Sequence, residues 1–237
     1  MLSVNEKGVS PAPTALAHIA ERNAKRRAIR HPLFFGNSVV KSLYKSIYAR
    51  KVSRQYAALH NQLDSDKSRI ALIFNGFLAP NALVDIAAQR LGMSRLFVEN
   101  GFFPGTLQAD NTGINGLSTL PREATFYDAL SDEDAGRDWP DSFEVRKSKL
   151  QAKDGMATLP DSYVFVPFQV PSDMQILALS PWIDDMRAMY AEVLKLASAF
   201  PTQHFVIKEH PSFPLSIQGQ VEKLSNIQFA NHGVTRD

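Results

Sequence analysis

The sequence predicts an α/β chain built from two strand–helix–strand series. Residues 69–98 read as an apolar run, a turn, an amphipathic helix and a second apolar run. The same order recurs between Tyr163 and Ala230. Composition agrees: of 237 residues, 44% are hydrophobic and 21% charged, as in ordinary globular domains and unlike a chain disordered throughout.

The elements follow in order. Residues 1–13 hold Gly, Ser and two Pro and read as a loose leader. Thr14 to Arg30 reads as a helix, with Thr14 as N-cap and Leu16, Ile19 and Ala20 on one side. Pro32 punctuates it. Val40 to Leu63 is helical again. Val40, Leu43, Tyr44, Ile47, Tyr48 and Val52 recur at a spacing of three to four, with Lys41, Lys45, Arg50, Lys51 and Arg54 between them. Two readings of this helix stay open: packing on the body with a solvated cationic face, or contact with a membrane surface or polyanion.

Arg69 to Phe74 reads as a strand with a turn at Asn75-Gly76. Asn81 to Leu91 reads as a helix, capped by Asn81, stopped by Gly92, with Leu83, Ile86, Ala87 and Leu91 on one face. Arg95 to Val98 is the next strand, and the spacing makes the two strands parallel neighbours. Asp128 to Lys153 is charged and weakly periodic, an exposed turn or interdomain stretch. Tyr163 to Pro167 reads as a buried strand. Ser180-Pro181-Trp182 opens a helix, with Ser180 as N-cap and Asp184 and Asp185 in the first turn. Its apolar face is Ile183, Met186, Tyr190, Val193, Leu194 and Ala197. His204 to Lys208 is a strand, Leu215 to Leu224 a short helix, and Asn226 to Ala230 a third strand. The expected layout is a basic helical region over 1–66, a first α/β unit over 67–157 and a second over 158–237. The second stops just after its third strand, so the natural fold is expected to continue beyond Asp237.

The net charge of +2 conceals an asymmetry. Residues 1–60 hold eleven Lys and Arg against Glu6 and Glu21, whereas residues 61–237 hold fifteen against twenty-two acidic residues. A basic end suits anionic lipid, nucleic acid or an acidic protein surface. Tyr44, Tyr48 and Tyr56 can stack on bases, but no nucleic-acid-binding signature accompanies them, so nucleic acid is not an expected partner. With no Cys, a disulfide scaffold and a Cys-ligated zinc site are excluded, and a reducing compartment fits. No apolar run reaches the roughly 18–20 residues needed to span a bilayer, and the first residues lack the apolar core of a secretory signal. There is no G-x-x-x-x-G-K-[ST], no G-x-G-x-x-G after a strand, no H-E-x-x-H and no G-x-S-x-G. The six His are scattered, so no metal or other cofactor is expected.

Three segments that end predicted strands carry the candidate chemistry. The first runs from Val98 to Gly116, at the sheet edge where open α/β folds bind ligands. Gly101, Gly105, Gly113 and Gly116 let backbone approach a ligand. Glu99 and Asp110 offer acid/base groups, and Gln108, Asn111 and Asn115 offer hydrogen bonds to a sugar. A turn-rich loop with ordinary capping side chains is the competing reading. The second runs from Val166 to Gln175. Its Asp173 serves either as a nucleophile or base, or as a turn cap. The third is Lys208-Glu209-His210-Pro211, either an anion-binding cluster or a solvated strand end.

These residues carry a resemblance. FVENGFFPGTLQADNTGINGLSTLPR, from Phe97 to Arg122, closely resembles the signature of the capsule polysaccharide biosynthesis family, bacterial β-Kdo transferases that use CMP-Kdo. VPFQVPSDMQI and IKEHPSF resemble its second and third blocks, in the family's order, over roughly residues 69–215. The Phe-Phe-Pro-Gly-Thr version looks most like the branch building O-antigens or related surface glycans. The resemblance implies a GT-B-like architecture, two Rossmann-like domains with the acceptor mainly on the first and the nucleotide on the second. It implies retaining transfer of Kdo from CMP-Kdo to a lipid-linked or oligosaccharide acceptor. Asp173 would be the nucleophile and Glu99 the acid/base or acceptor-orienting carboxylate. Asn100, Gly101, Gln108, Asn115 and Gln169 would bind substrate. Lys208 and His210 would hold the CMP phosphate and the Kdo carboxylate. Such an enzyme is expected in the cytoplasm, peripheral to the inner membrane through the basic helix at 40–60. The family's later Asn-Ser-Thr/Ser-x-x-Gly-type segment, which helps bind the nucleotide, does not occur before Asp237. Two alternatives remain: a non-catalytic glycan-binding or inactive fragment of such an enzyme, and a sugar-nucleotide epimerase-like protein.

Overall fold

The computed structural model describes residues 12–65, 70–131, 158–210 and 215–230. In chain order its elements are α1 (Ala12–Arg30), α2 (Pro32–Phe35), α3 (Ser38–Ser65), β1 (Ile70–Phe74), α4 (Asn81–Arg90), β2 (Ser94–Asn100), β3 (Leu107–Asp110), α5 (Ala124–Asp128), β4 (Val164–Pro167), α6 (Met186–Ala199), β5 (Phe205–Lys208) and β6 (Ile227–Phe229). The protein is mixed α/β. It divides into two compact units, Met1–Ala24 with Ser38–Lys147 and Lys25–Asn37 with Ser148–Asp237. The N-terminal helices are therefore shared out: α3 belongs to the first unit, α2 to the second, and α1 runs through both. Most of the charged stretch expected at 128–153, and the leader through Pro11, lie outside the described residues.

The first unit holds a sheet in the order β1-β2-β3. β1 and β2 are parallel, as the strand–helix–strand spacing predicts, with Ile70 opposite Ser94 and Phe74 opposite Val98. α4 packs on both strands, and Ala71, Ile73 and Phe97 are buried with Leu83 and Ala87 of α4. The alternate residues of β1, Ile70, Leu72 and Phe74, stay exposed, because successive strand residues face opposite sides. α3 packs on α4. Leu16 and Ile19 of α1, Val52 of α3 and Leu83 of α4 form one cluster, against which Tyr48, Tyr56 and Leu59 rest. One face of α3 thus packs on the body. Gly92 stops α4 in a left-handed conformation, φ 65°, with Met93 N donating to Ala88 O. Asn81 does not cap: its Nδ2 donates back to Phe74 O at 2.6 Å, fastening α4 to the end of β1. Thr14 likewise falls inside α1 rather than at its cap.

The second unit holds a parallel sheet in the order β4-β5-β6. α6 contributes Met186, Tyr190, Val193 and Ala197 to a core with Val166, Phe168, Phe205, Ile207, Ile227 and Phe229. The helix starts later than Ser180-Pro181-Trp182 predicts. Residues Gln175–Leu179 form a π-helical turn, and Ser180 Oγ accepts from Ile183 N instead of capping. Asp185 takes the cap, accepting from the N–H groups of Arg187 and Ala188 at 2.9 Å. Two adjacent donors on one carboxylate outcompete a single neutral hydroxyl. The helix expected at Leu215 to Leu224 is a run of turns. Its backbone is claimed by the Glu209 carboxylate and by local turns at Ile217 and Gln220. Asn226 is buried just before β6, and its Nδ2 donates to the carbonyls of Ala197, Phe200 and Gln203 at 3.0, 3.2 and 2.9 Å. That amide closes the carbonyl end of α6, which a helix cannot satisfy internally.

Candidate functional site

In the first unit the site grows from the carboxyl end of the parallel pair. After β1 the chain turns through Asn75 (φ 63°) and Gly76 (φ 85°), residues that tolerate left-handed backbone. Asn75 N donates to Val98 O at 2.9 Å, which sets Asn75 beside Glu99. Asn75 Nδ2 donates to Glu99 Oε2 at 2.5 Å, and Asn100 N donates to Oε1 at 3.0 Å. Both oxygens of the carboxylate are thus held.

The segment after β2 is not wholly loop, as the glycines predict. β3 folds back antiparallel on β2, with Glu99 opposite Gln108 and Asn100 opposite Leu107. Directly opposed residues share a face, so Gln108 stands on the side of Glu99. Glu99, Asn100, Gly101, Phe102, Gln108 and Asn115 line one hollow of about 650 Å³. The four residues expected to bind substrate in this region therefore meet, together with Glu99. Phe102, 89% exposed, adds an aromatic surface.

Gly101 also has a structural role. A Cβ there would lie 2.1 Å from Thr106 Oγ1, and Gly101 N donates to Thr106 O. The missing side chain makes room for the chain's own hairpin. At Gly113 the added Cβ would meet Leu117 at 2.6 Å.

Asp110 also proves structural. Its Oδ1 accepts from the N–H groups of Thr112 and Gly113, and its Oδ2 from Thr119 N and Oγ1. Desolvation pushes this carboxyl up, but the Thr119 hydroxyl and the three backbone donors outweigh it and bring it down to about 2. A carboxylate so stabilised is a poor base at neutral pH. Its contribution to the loop is full above the ordinary value near 3.8 and is lost as pH falls through about 2. A carboxyl-carbon NMR titration is expected to show a midpoint near 2. The stability difference between the wild type and Asp110→Asn should shrink over the same window.

In the second unit Pro167 lies opposite Lys208, and Phe168 N donates to Lys208 O at 2.8 Å. Gln169 and His210 therefore leave neighbouring strand ends at the same edge. Both line a hollow of about 370 Å³ together with Arg187, Ser216 and Met186. Glu209, buried between strand end and hollow, accepts from Ser216 Oγ at 2.5 Å and Ile217 N at 2.7 Å and pins that wall. The Arg187 guanidinium donates to the Gln220 side chain. Asp173 and Lys208 do not line this hollow. Asp173 Oδ1 accepts from Gln175 N at 2.8 Å and its carbonyl accepts from Leu177 N at 3.0 Å, so the turn-capping reading is realised. Its Oδ2 takes no hydrogen bond among the described residues. Pro211 lies outside them. Glu99 belongs to the first unit, and Asp173, Lys208 and His210 to the second.

Asn75, Phe102 and Arg187 were not among the residues singled out for binding. Asn75 was legible in principle, since parallel pairing puts the residue after β1 beside Glu99. Arg187 was not, because the start of its helix falls five residues after the expected Pro181. Among the described residues no group of three or more His, Asp or Glu gathers to hold a metal ion, and no helix is long and apolar enough to cross a membrane.

No protein-family model matches the chain, and no solved structure matches it. The chain is similar to Protein FixF of Sinorhizobium fredii (strain NBRC 101917 / NGR234), with 39% identity over 218 residues, 91% of this chain and 53% of that protein. The chain spans about half the length of the curated relative it matches.

Proposed function

We propose that the chain is a GT-B-like glycosyltransferase of the retaining β-Kdo type, taking Kdo from CMP-Kdo to a surface glycan. The observation that carries this reading is the polar hollow at the carboxyl end of β2. A carboxylate, three amide-bearing residues and an exposed aromatic ring converge there. That set suits a polyhydroxylated acceptor, with amides for hydroxyl groups and an aromatic face for a sugar ring. The hollow of the second unit supports a donor role, since His210 and Arg187 offer donors to anionic oxygens.

In this mechanism a carboxylate oxygen of Asp173 bonds to the anomeric carbon of Kdo as the bond to CMP breaks. CMP leaves with both electrons as a phosphate monoester. The acceptor hydroxyl then bonds to that carbon, its proton passing to a general base, and the ester to Asp173 breaks. Two inversions leave the β configuration unchanged. Lys208, His210 and Arg187 would offset the charge of the leaving phosphate and the Kdo carboxylate.

Titration calorimetry with CMP tests the donor half. Binding is expected, and His210→Ala should weaken it about tenfold or more, the scale of a lost hydrogen bond to a charged group. CMP affinity unchanged by both His210→Ala and Lys208→Ala would remove the donor assignment. One observation favours a second reading, glycan binding without transfer: Asp173 already serves its own turn. That reading requires acceptor oligosaccharide to bind at the Glu99 hollow while CMP-Kdo is never consumed.

A further inference from the structure

α3 presents two different faces. On one, Tyr48, Tyr56 and Leu59 pack against the core around Val52, Tyr44 donates to Asn23 Oδ1 at 2.6 Å, and Lys45 pairs with Glu21 at 2.8 Å. On the other, Val39, Leu43 and Ile47 are 72%, 62% and 57% exposed. Arg50, Lys51 and Arg54, with Ile47 and Gln55, line a shallow hollow of about 440 Å³ on the same helix. No ion pair joins those three cations to a carboxylate among the described residues. At 3.6 residues per turn, positions 39, 43, 47, 50 and 54 fall within about 80° of arc and along about 22 Å of helix. The apolar residues take the first half of that stripe and the cations the second.

We infer that this stripe of α3 is a docking surface for an anionic lipid bilayer. Charge complementarity names the occupant's sign, because the cations sit in the part of the chain that carries eleven basic residues against two acidic. The aliphatic residues name its class. Val39, Leu43 and Ile47 can neither stack on bases nor donate to phosphates, so a nucleic acid would leave half the stripe unused. A bilayer uses both halves, with side chains of Leu43 and Ile47 entering the acyl boundary and guanidinium groups meeting headgroup phosphates. The structure also narrows the set of cations: Lys45 is spent on Glu21 and Lys41 is half-buried, which leaves Arg50, Lys51 and Arg54.

Co-sedimentation of the whole chain with vesicles tests the inference, and does so without any transfer reaction. Binding is expected to vesicles of phosphatidylethanolamine with phosphatidylglycerol and to fall away on pure phosphatidylcholine. Replacing Arg50, Lys51 and Arg54 together with Gln should lower the partition coefficient roughly 100-fold at low salt. Leu43→Ser with Ile47→Ser should lower it roughly tenfold or more while leaving the melting curve in place. Ile47→Trp provides a second readout: its fluorescence should shift to the blue on adding the anionic vesicles. Equal binding to phosphatidylcholine, or full binding by the triple variant, would overturn the inference. So would loss of binding in the triple variant alone with no blue shift at position 47 and competition by duplex DNA, which would make the stripe a general polyanion surface.

Discussion

Asp173→Asn is expected to abolish the proposed transfer of Kdo from CMP-Kdo, lowering kcat on the order of 10⁴-fold or more, while the fold and CMP affinity stay as they are. The magnitude is that of removing a covalent nucleophile, which leaves only the catalysis that binding supplies. Asparagine is the informative replacement because of the turn. Asp173 Oδ1 accepts from Gln175 N, and an amide oxygen keeps that hydrogen bond, whereas alanine would lose it at a cost of about 1 kcal/mol. The pair therefore separates two roles that share one side chain. If Asn and Ala are both inactive and only Ala lowers the melting temperature, the carboxylate is chemical and the cap structural. A fully active Asp173→Asn enzyme would leave the capping role alone. The measurement is single-turnover transfer from CMP-Kdo, with CMP binding followed in parallel.

Asn226→Ala is expected to destabilise the second unit by about 3 kcal/mol, read as a lower urea midpoint with an unchanged slope. The reason is geometric. A single amide nitrogen supplies hydrogen bonds to three carbonyls, those of Ala197, Phe200 and Gln203. Its removal leaves the end of α6 and the following turn short of donors in a site closed to solvent. Asn226→Asp should be worse than Ala, since it would face carbonyl oxygens with a carboxylate. A denaturation midpoint equal to the wild type's would show that water replaces the amide.

The contrast between these residues shows what the sequence made legible. Strands and helices with strong periodicity were readable: β1, α4, β2, β4, β5 and the buried face of α6 lie where apolar spacing puts them. Local chemistry misled where two groups competed for the same backbone. Ser180 with Pro181 is a good helix start, yet Asp185 offers a better one. Leu215 to Leu224 reads as a helix, yet the Glu209 carboxylate takes the Ile217 N–H and the Ser216 hydroxyl. β3 was hidden because Gly101 and Gly105 read as loop, and a hairpin needs just such residues at its turn. Tyr163 to Pro167 reads as a buried strand, but of β4 only Val166 is buried, with Val164 and Phe165 exposed among the described residues.

The candidate site shows the same division. Glu99, Asn100, Gly101, Gln108 and Asn115 come together because they lie within one hairpin and its continuation, so proximity in sequence carried them. Asp173 and Lys208 were placed by the order of motifs, and side-chain direction is invisible in such an order. Asn75 required knowing which strand neighbours which, information that lies in the parallel register and not in the motif itself.

The path of α1 bears on how the molecule can be taken apart. Its residues through Ala24 belong to one unit and those from Lys25 to the other, and the Arg30 guanidinium donates to the buried hydroxyl of Ser172 at 2.9 Å. Expression of a fragment beginning at Ser148 would thus discard residues that complete the second unit, leaving Ser172 without its donor and the hollow without Ile29 and Pro32. A tidy cut at the midpoint of the chain would yield two damaged pieces; dissection has to carry Lys25–Asn37 along with the C-terminal half, by circular permutation or a short graft.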